Sequence, residues 1–349
     1  MKQANDRIGT TCRAVVIHGV GKVSLEDIPI PSVGETDVAI RVAYVGVCTT
    51  DLEIVNGTLG YYQNQTAKYP IVPGHEVSGL VVTVGQGVTH LTKGDSVVVE
   101  CIQGCGSCVS CKQDQPIGCV VRKELGVIGR NGGYSELIVV AARFVHRIPP
   151  TLDLKTACLS EPLAVAIKGL RRLANAWGDN PKTKKCSVVG AGPIGRLCSL
   201  ILAHRGHTVT LFDQDERRLK NVESKIRTSQ SLDSLDDFDV IVEATGELSA
   251  LKAVIGKSRV GSTILLLGLP YGLERFSFEQ IVAYDKTIVG SVGSGVSDFV
   301  EAISLLSQLD TSAFIQTVLP LDAFRLAWEF ASTRSQLKML LSPNDFPSE

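Results

Sequence analysis

One stretch of the chain, residues 184–215, constrains the fold more than any other. It starts with the apolar run "CSVV", continues through the glycine-rich turn "GAGPIG" into a helical segment, and ends in a second apolar run, "TVTLF". Further strand-like runs separated by helical segments follow at "FDVIVEATG", "STILLLGLP" and "KTIVGSVG". Strands that alternate with helices form a parallel sheet with helices on both faces. We therefore predict a doubly wound α/β domain over residues 163–296.

The chain before this domain has a different pattern. Residues 12–150 contain short β-branched runs separated by Gly and Pro, namely "RAVVIHG", "DVAIRVAYVGV", "VSGLVVTVG", "DSVVVE" and "GGYSELIVV". Short strands at this spacing, with turn residues between them, predict an all-β, barrel-like domain.

The glycine-rich turn also carries chemistry. Gly190, Gly192 and Gly195 lie between a strand and a helix, which is the context that a dinucleotide-binding turn requires. The glycines allow a tight turn and a close approach of pyrophosphate, and the helix N-terminus offers free N–H groups to the phosphates.

An acidic residue ends the second strand of the α/β domain. Asp213 lies 18 residues after Gly195, where a carboxylate binds the adenosine ribose hydroxyls and repels a 2′-phosphate. We therefore expect NAD rather than NADP. A solvated loop aspartate is the alternative, and Arg217 and Arg218 keep NADP open, since either suits a 2′-phosphate.

Four cysteines fall within sixteen residues, in a C-x2-C-x2-C-x7-C array formed by Cys105, Cys108, Cys111 and Cys119. A disulfide framework suits small secreted chains, and a redox pair needs a C-x-x-C that opens a helix. Four thiolates at this spacing favour a closed structural zinc site, in a lobe over about residues 101–120. Cys101, just before the array, is interpreted as a bystander.

Composition excludes other classes of function. The chain has 35 Lys and Arg against 36 Asp and Glu, so no basic surface for nucleic acid is expected. Apolar runs stop far short of the roughly 18 residues of a membrane span, and the N-terminus lacks a signal-peptide pattern. We expect a cytoplasmic protein with no nucleic-acid or membrane partner.

Three further motifs carry possible metal ligands. "GVCTTD" contains Cys48, "PGHEVSG" contains His75 and Glu76, and "SEPLAVA" contains Glu161. A thiolate, an imidazole and a carboxylate from separate turns leave one position of a zinc ion open, which is the catalytic pattern. Each residue taken alone is more often structural.

Together these motifs resemble the zinc-dependent medium-chain dehydrogenase/reductase superfamily, in its sorbitol, glucose, threonine and 2-deoxy-scyllo-inosamine dehydrogenase branches. "GVCTTD" is similar to the family's G-[IV]-C-G-[ST]-D, and "YPIVPGHEVSGLVVTVG" to its P-x-[IV]-x-GHE-x-x-G signature. The resemblance implies a GroES-like β-barrel catalytic domain over 1–162, completed by 297–349, and a Rossmann NAD-binding domain over 163–296.

The resemblance also implies roles for single residues. Cys48 and His75 ligate a catalytic zinc, with Glu76 and Glu161 as ligands or exchangeable partners, so that each chain holds two zinc ions. Thr50 accepts the substrate's proton, Asp51 orients a ligand, and Ile194 and Arg218 contact NAD.

Two departures from the family stand out in the sequence. Glu53 replaces the histidine that the family commonly places five residues after the first zinc cysteine, which puts the outer end of the proton relay in doubt. The chain is also short between Arg227 and Asp239, which predicts a missing strand or helix.

The expected substrate is a small-molecule alcohol or ketone, specifically a secondary alcohol of a sugar, polyol or cyclitol. A threonine-type amino alcohol is the alternative, and a non-catalytic zinc- and nucleotide-binding relative is a third reading. The resemblance implies a homodimer or homotetramer.

Overall fold

The structure is a computed structural model that describes residues 9–177, 183–270, 272 and 275–344. The chain divides into two compact units, one made of Met1–Glu161 with Ile315–Glu349 and the other of Pro162–Phe314. Among the described residues, no helix combines the length and the apolar character that a membrane crossing requires.

The first unit is a β domain with a few short helices. Its β-branched runs form β-strands that contribute buried side chains to one apolar core. The strands are β1 (Thr11–Gly19), β2 (Lys22–Pro29), β3 (Asp37–Gly46), β4 (Glu76–Val84), β5 (Ser96–Val99), β6 (Ile102–Gln103), β7 (Lys123–Leu125), β8 (Gly129–Arg130), β9 (Leu137–Ala141) and β10 (Val145–Arg147). The helices are α1 (Thr49–Asn56), α2 (Gly60–Gln63), α3 (Val109–Lys112) and α4 (Leu154–Ala157).

The second unit alternates strands and helices, as predicted. Its strands are β11 (Lys185–Val189), β12 (Thr208–Phe212), β13 (Arg227–Ser229), β14 (Val240–Glu243), β15 (Thr263–Leu266) and β16 (Thr287–Gly290). Helix α5 (Ser160–Trp177) precedes them, and the others are α6 (Pro193–His204), α7 (Leu248–Lys257), α8 (Glu279–Val282) and α9 (Val296–Leu306).

These strands form a parallel sheet in the order β13-β12-β11-β14-β15-β16. Strand order reverses beside β11, and the glycine-rich turn follows this central strand. In open α/β sheets the carboxyl ends of the strands at such a reversal form the ligand-binding edge.

The chain then returns to the first unit through β17 (Ile315–Pro320), α10 (Phe324–Ser332) and β18 (Lys338–Ser342). Strand β18 pairs with β3, so the described strands of this sheet run β10-β5-β4-β3-β18-β17, with β9 also paired to β3. The predicted combination of a β-barrel-like domain and a doubly wound domain is confirmed.

The chain re-enters the first unit at Ile315, later than the sequence analysis predicted. We predicted a boundary at residue 297, whereas the second unit extends to Phe314. Helix α9 belongs to the second unit because Phe299 is buried there and the Asp298 carboxylate accepts hydrogen bonds from Nε and Nη2 of Arg171, at 3.1 and 2.8 Å.

The shortened segment of the doubly wound sheet lacks a helix rather than a strand. β13 is present, but the described residues between β12 and β14 form only the 3-10 turns Glu216–Leu219 and Leu235–Asp237. That the segment between Arg227 and Asp239 is shorter than in the family stays a prediction.

Phe212 tests how much this side of the sheet depends on side-chain packing. The ring is 1% exposed and meets Phe238 edge-on, with 5.7 Å between ring centroids. We expect Phe212→Ala to lower the free energy of unfolding by about 3–5 kcal/mol, because a buried aromatic ring leaves a cavity. Urea unfolding followed by circular dichroism measures this, with Phe278→Ala, at a ring 72% exposed, as the control. Equal losses in the two variants would contradict the packing assigned here.

Candidate metal and cofactor sites

Cys48 is placed by the start of helix α1. It is the N-cap residue of that helix, with extended backbone, and its N–H donates to Asp51 Oδ2 at 3.0 Å. This reciprocal capping fixes the turn that carries the thiol. The Thr50 hydroxyl lies 3.7 Å from Cys48 Sγ, so the predicted proton acceptor is adjacent to the predicted ligand.

His75 is placed by the turn that enters strand β4. The side chain is buried, and its Nδ1 atom is 3.7 Å from Asp51 Oδ1 without a hydrogen-bond partner in the described part of the chain. Burial alone would lower the pKa of His75, but Cys48 and Asp51 raise it well above its ordinary value. The imidazole therefore lies in an anionic environment.

Asp51 connects these two turns. Its carboxylate is fully buried and accepts from the Cys48 N–H, from the Gly74 N–H at 3.2 Å and from the Tyr134 hydroxyl at 3.1 Å. The Tyr134 oxygen in turn accepts from Trp328 Nε1 at 3.3 Å. Burial raises the pKa of Asp51, and His75 opposes this shift. Asp51 therefore contacts the turns of both candidate ligands, and its role in orienting a ligand stays a prediction.

Glu76 is held by a lysine from the returning segment. Lys338 Nζ donates to Glu76 Oε1 at 2.6 Å and to Oε2 at 2.8 Å, and both side chains are buried. Burial alone would lower the pKa of Lys338, but the paired carboxylate holds it above its ordinary value. Gly46 is required opposite, because a Cβ there would lie 1.8 Å from Glu76 Oε2.

Glu161 starts the long helix α5 and has a different environment from Glu76. It is buried, with 8% of its surface exposed, and it is not the carboxylate that Lys338 binds. Burial raises its pKa to about 7, His75 opposes this shift, and Glu76 adds to it.

The donor atoms of Cys48, His75 and Glu76 lie within 4.8 Å of one another, a group that does not include Glu161. Sulfur, nitrogen and oxygen donors of this kind fit zinc, and the unpartnered Nδ1 of His75 shows that hydrogen bonds within the described residues do not fully satisfy the site. The residues present therefore fit a metal ion. Which carboxylate completes the site stays a prediction.

The four-cysteine array forms a compact lobe beyond β6. The Sγ atoms of its members lie within 4.8 Å of one another, and all four thiols are free: Cys105, Cys108, Cys111 and Cys119. Hydrogen bonds from the Ser107 hydroxyl, the Ser107 N–H and the Cys108 N–H lower the pKa of Cys105 to about 5. A preformed thiolate in a four-sulfur cluster fits structural zinc.

Arg143 anchors this lobe to the barrel. Its Nη2 donates to Gly104 O at 2.9 Å and its Nη1 to Cys105 O at 3.1 Å. Cys101 lies outside both clusters. Burial raises the pKa of Cys101 well above its ordinary value, and Glu161, Glu124 and Cys48 add to the shift, so this thiol is electrostatically coupled to the candidate catalytic site.

The predicted cofactor turn has the expected geometry. Gly195 packs so closely on the turn that a Cβ there would lie 1.8 Å from Gly190 O, whereas a Cβ on Gly192 would meet nothing within 4 Å. Ile194 is half-buried in the first turn of α6. Asp213 Oδ2 accepts from the Ala191 N–H at 2.8 Å, and Arg218 Nη1 lies 3.8 Å from the same oxygen.

Sequence reasoning missed one charged residue of this site, Lys338. Lys338 lies 262 positions from the carboxylate it binds, so no local spacing reveals it. Its one signal is a lysine that opens the apolar run "KMLL". Glu53, the departure from the family motif, is half-buried in α1, and its part in a proton relay stays a prediction.

The number of zinc ions bound per chain tests the assignment of the four-cysteine lobe. We expect Cys111→Ala to reduce the bound zinc from about two ions per chain to about one, because a structural site needs all four thiolates. Inductively coupled plasma mass spectrometry of the dialysed protein measures this. Cys198→Ala, at a buried thiol in α6, should leave the zinc content unchanged. Full zinc content in Cys111→Ala would contradict the assignment.

Substitution of Asp51 tests the site formed by Cys48, His75 and a carboxylate. Asp51→Asn keeps the shape of the side chain but removes the charge behind His75 and Cys48, and we expect zinc affinity at this site to fall about 10- to 100-fold. Competition with a fluorescent zinc chelator measures the affinity, with Asp322→Asn at an exposed aspartate as the control. Unchanged affinity would mean that Asp51 only joins the two turns.

Comparison with known proteins assigns both parts of the chain. Residues 34–150 match the family described as alcohol dehydrogenase GroES-like domain, and residues 154–342 match the glucose dehydrogenase C-terminus. A sorbitol dehydrogenase from Halalkalibacterium halodurans is 28% identical over 94% of this chain and 98% of its own length. A D-altritol 5-dehydrogenase from Agrobacterium fabrum is 32% identical over 71% of this chain and 74% of its own length.

Solved structures agree with this assignment. The crystal structure of an alcohol dehydrogenase from Thermotoga maritima superposes with a TM-score of 0.85 at 25% identity, covering 96% of this chain and all of that one. The two domain matches together span nearly the whole chain, and both come from dehydrogenases. The chain belongs to the zinc-dependent medium-chain dehydrogenase/reductase superfamily, whose members oxidise CH–OH groups to carbonyls, or reduce carbonyls to CH–OH groups, with a nicotinamide cofactor.

Proposed function

We propose that this chain oxidises a secondary alcohol of a sugar, polyol or cyclitol with NAD, at a zinc ion held by Cys48, His75 and one carboxylate. The observation that carries the proposal is the convergence of the Cys48 thiol with the His75 imidazole and the Glu76 carboxylate, which come from a second turn, within 4.8 Å. A closed structural site would use four protein ligands, whereas three leave a position for substrate.

We assign the third ligand to Glu161 and treat Glu76 as its exchangeable partner. Both oxygens of Glu76 are already bound by Lys338, while Glu161 is buried close enough for the charges of His75 and Glu76 to shift its pKa. Lys338 thereby keeps Glu76 near the ligands without leaving a second uncompensated anion in the site. A buried charge of this kind is tolerated only when it is paired.

Zinc, when bound, lowers the pKa of a coordinated hydroxyl, and the nicotinamide ring supplies the redox chemistry. The residues of the chain itself position the metal ligands and transfer the proton of the substrate hydroxyl. Thr50, beside Cys48, would relay the proton of the substrate hydroxyl, accepting it while its own hydroxyl proton passes outward, and Asp51 fixes the turns of Cys48 and His75.

We further propose NAD rather than NADP as the cofactor. The Asp213 carboxylate lies at the end of β12 and is fixed by the Ala191 and Asp215 N–H groups, which suits it to bind ribose hydroxyls. Arg217 donates hydrogen bonds from Nε and Nη2 to the Asp215 carboxylate, at 2.9 and 2.7 Å. Because its guanidinium is already paired, Arg217 is less suited to bind a 2′-phosphate.

The names of the relatives support a polyhydroxylated substrate, since they include a sorbitol and a D-altritol dehydrogenase. Adjacent hydroxyls can chelate zinc, which suits a carboxylate-rich site. We also propose a homodimer or homotetramer in the cytoplasm. β16 lies at the end of the described order of the parallel sheet, where the strand edge is available for pairing.

A substrate screen tests this proposal. The zinc-loaded chain is mixed with NAD or NADP and with polyols, cyclitols, threonine and simple secondary alcohols, while NADH or NADPH absorbance is followed. We expect turnover with a polyol or cyclitol and NAD. Cys48→Ala should lower kcat/KM at least about 10³-fold, because metal catalysis supplies several kcal/mol of transition-state stabilisation.

Cys198→Ala is the matched control and should retain activity. Preferred oxidation of threonine would replace the polyol assignment by the amino-alcohol alternative. A wild-type chain that binds two zinc ions yet oxidises none of these alcohols would contradict the proposed function, and full activity of Cys48→Ala would contradict the site.

A further inference from the structure

Arg196 is a buried cation in the second unit that the proposed chemistry does not use. It follows Gly195 directly, in the first turn of α6, and its N–H donates to Gly192 O within the helix. The residue is 8% exposed. A guanidinium is costly to bury unless its donors are bonded, so its environment indicates a specific task.

The donors of Arg196 bind three backbone carbonyls of one short segment. Nη1 donates to Asn221 O at 3.1 Å, and Nη2 donates to Arg218 O at 2.5 Å and to Lys220 O at 2.6 Å. In the described part of the chain, the buried Nε has no partner. Burial and the neighbouring Arg218 lower the pKa of Arg196, although a guanidinium stays charged at neutral pH.

The segment that carries these three carbonyls follows closely after Asp213, the aspartate at the end of β12. Asp213 Oδ1 accepts from the Asp215 N–H at 2.9 Å, and Asp215 O accepts from the Arg218 N–H at 3.0 Å. Through these bonds the carbonyls held by Arg196 are connected to Asp213, whose other oxygen accepts from the Ala191 N–H in the glycine-rich turn.

No regular helix supports the segment. Residues 214–226, all described, form only the 3-10 turn Glu216–Leu219 before β13 begins. The hydrogen bonds of Arg196 therefore replace the packing that an α-helix would provide after β12.

We propose that Arg196 is a positioning residue for the adenosine half of the cofactor, which fixes residues 213–221 before the cofactor binds. The inference rests on the proposed function only in placing the adenosine ribose at Asp213. Binding to a preformed segment avoids the entropy cost of ordering it, so the loss of Arg196 should weaken binding without touching the reacting end.

The test uses ADP-ribose, which contains the adenosine and pyrophosphate but no nicotinamide, and isothermal titration calorimetry on the zinc-loaded full chain. We expect Arg196→Met to raise the ADP-ribose Kd about tenfold or more, because charge-assisted hydrogen bonds to the segment are lost. Arg196→Lys, which restores the charge and part of the bonding, should give an intermediate Kd.

Arg205→Met is the matched control, since Arg205 ends the same helix and pairs with Glu301 on the surface. A purely structural arginine would change the urea midpoint but not the ADP-ribose Kd of the folded protein. In turnover, the KM for NAD should rise while kcat at saturating NAD is kept.

An ADP-ribose Kd of folded Arg196→Met equal to that of Arg205→Met would overturn the inference. Should Arg196→Met fail to fold, Arg196→Lys decides by amide hydrogen exchange. Faster exchange confined to residues 214–221 supports the inference, and wild-type exchange with wild-type affinity refutes it.

A wild-type chain that binds ADP-ribose but oxidises no alcohol contradicts only the proposed function. A wild-type chain that binds no ADP-ribose contradicts the cofactor site and this inference together.

Discussion

The arrangement of the candidate catalytic site depends on one buried carboxylate. Asp51 accepts hydrogen bonds from the turn that carries Cys48 and from the turn that carries His75, so a single anion sets the distance between a thiol and an imidazole that are far apart in sequence. The anion is tolerated without solvent because three donors satisfy it, the third being the Tyr134 hydroxyl.

Negative charge accumulates around this carboxylate. Glu76 and Glu161 are also buried, and among the described residues Lys338 is the cation that bonds directly to one of them. Burial and the neighbouring Glu76 raise the pKa of Glu161 to about 7, whereas His75 opposes the shift. A divalent cation is the group that such a donor set lacks. Since its ligands must be deprotonated and in place, metal binding and stability are coupled in this unit.

Local patterns in the sequence predicted much of this structure. The glycine-rich turn, the four-cysteine array and the Cys48 and His75 motifs are short-range signals, and each lies where its spacing indicated. Long-range contacts were not predictable in the same way. Lys338 reaches Glu76 only because β18 pairs with β3, and Arg196 resembles an ordinary surface arginine until its carbonyl partners are known. The boundary at 297 was misplaced because the pattern of α9 does not say which core covers its apolar face. The length of the segment after Arg227 did not distinguish a strand from a helix, and the structure places β13 and a 3-10 turn there.

The contacts of Arg196 have a consequence for how this chain can change. Its acceptors are main-chain oxygens of Arg218, Lys220 and Asn221, and every amino acid supplies such an oxygen. Side chains along that segment are therefore free to vary while its path is kept. On the proposal that the adenosine ribose binds at Asp213, a lineage can exchange the side chains beside it, including those that distinguish one dinucleotide from another, without rebuilding the backbone that supports them. The irregular segment after β12 would then be an interchangeable surface on a fixed backbone.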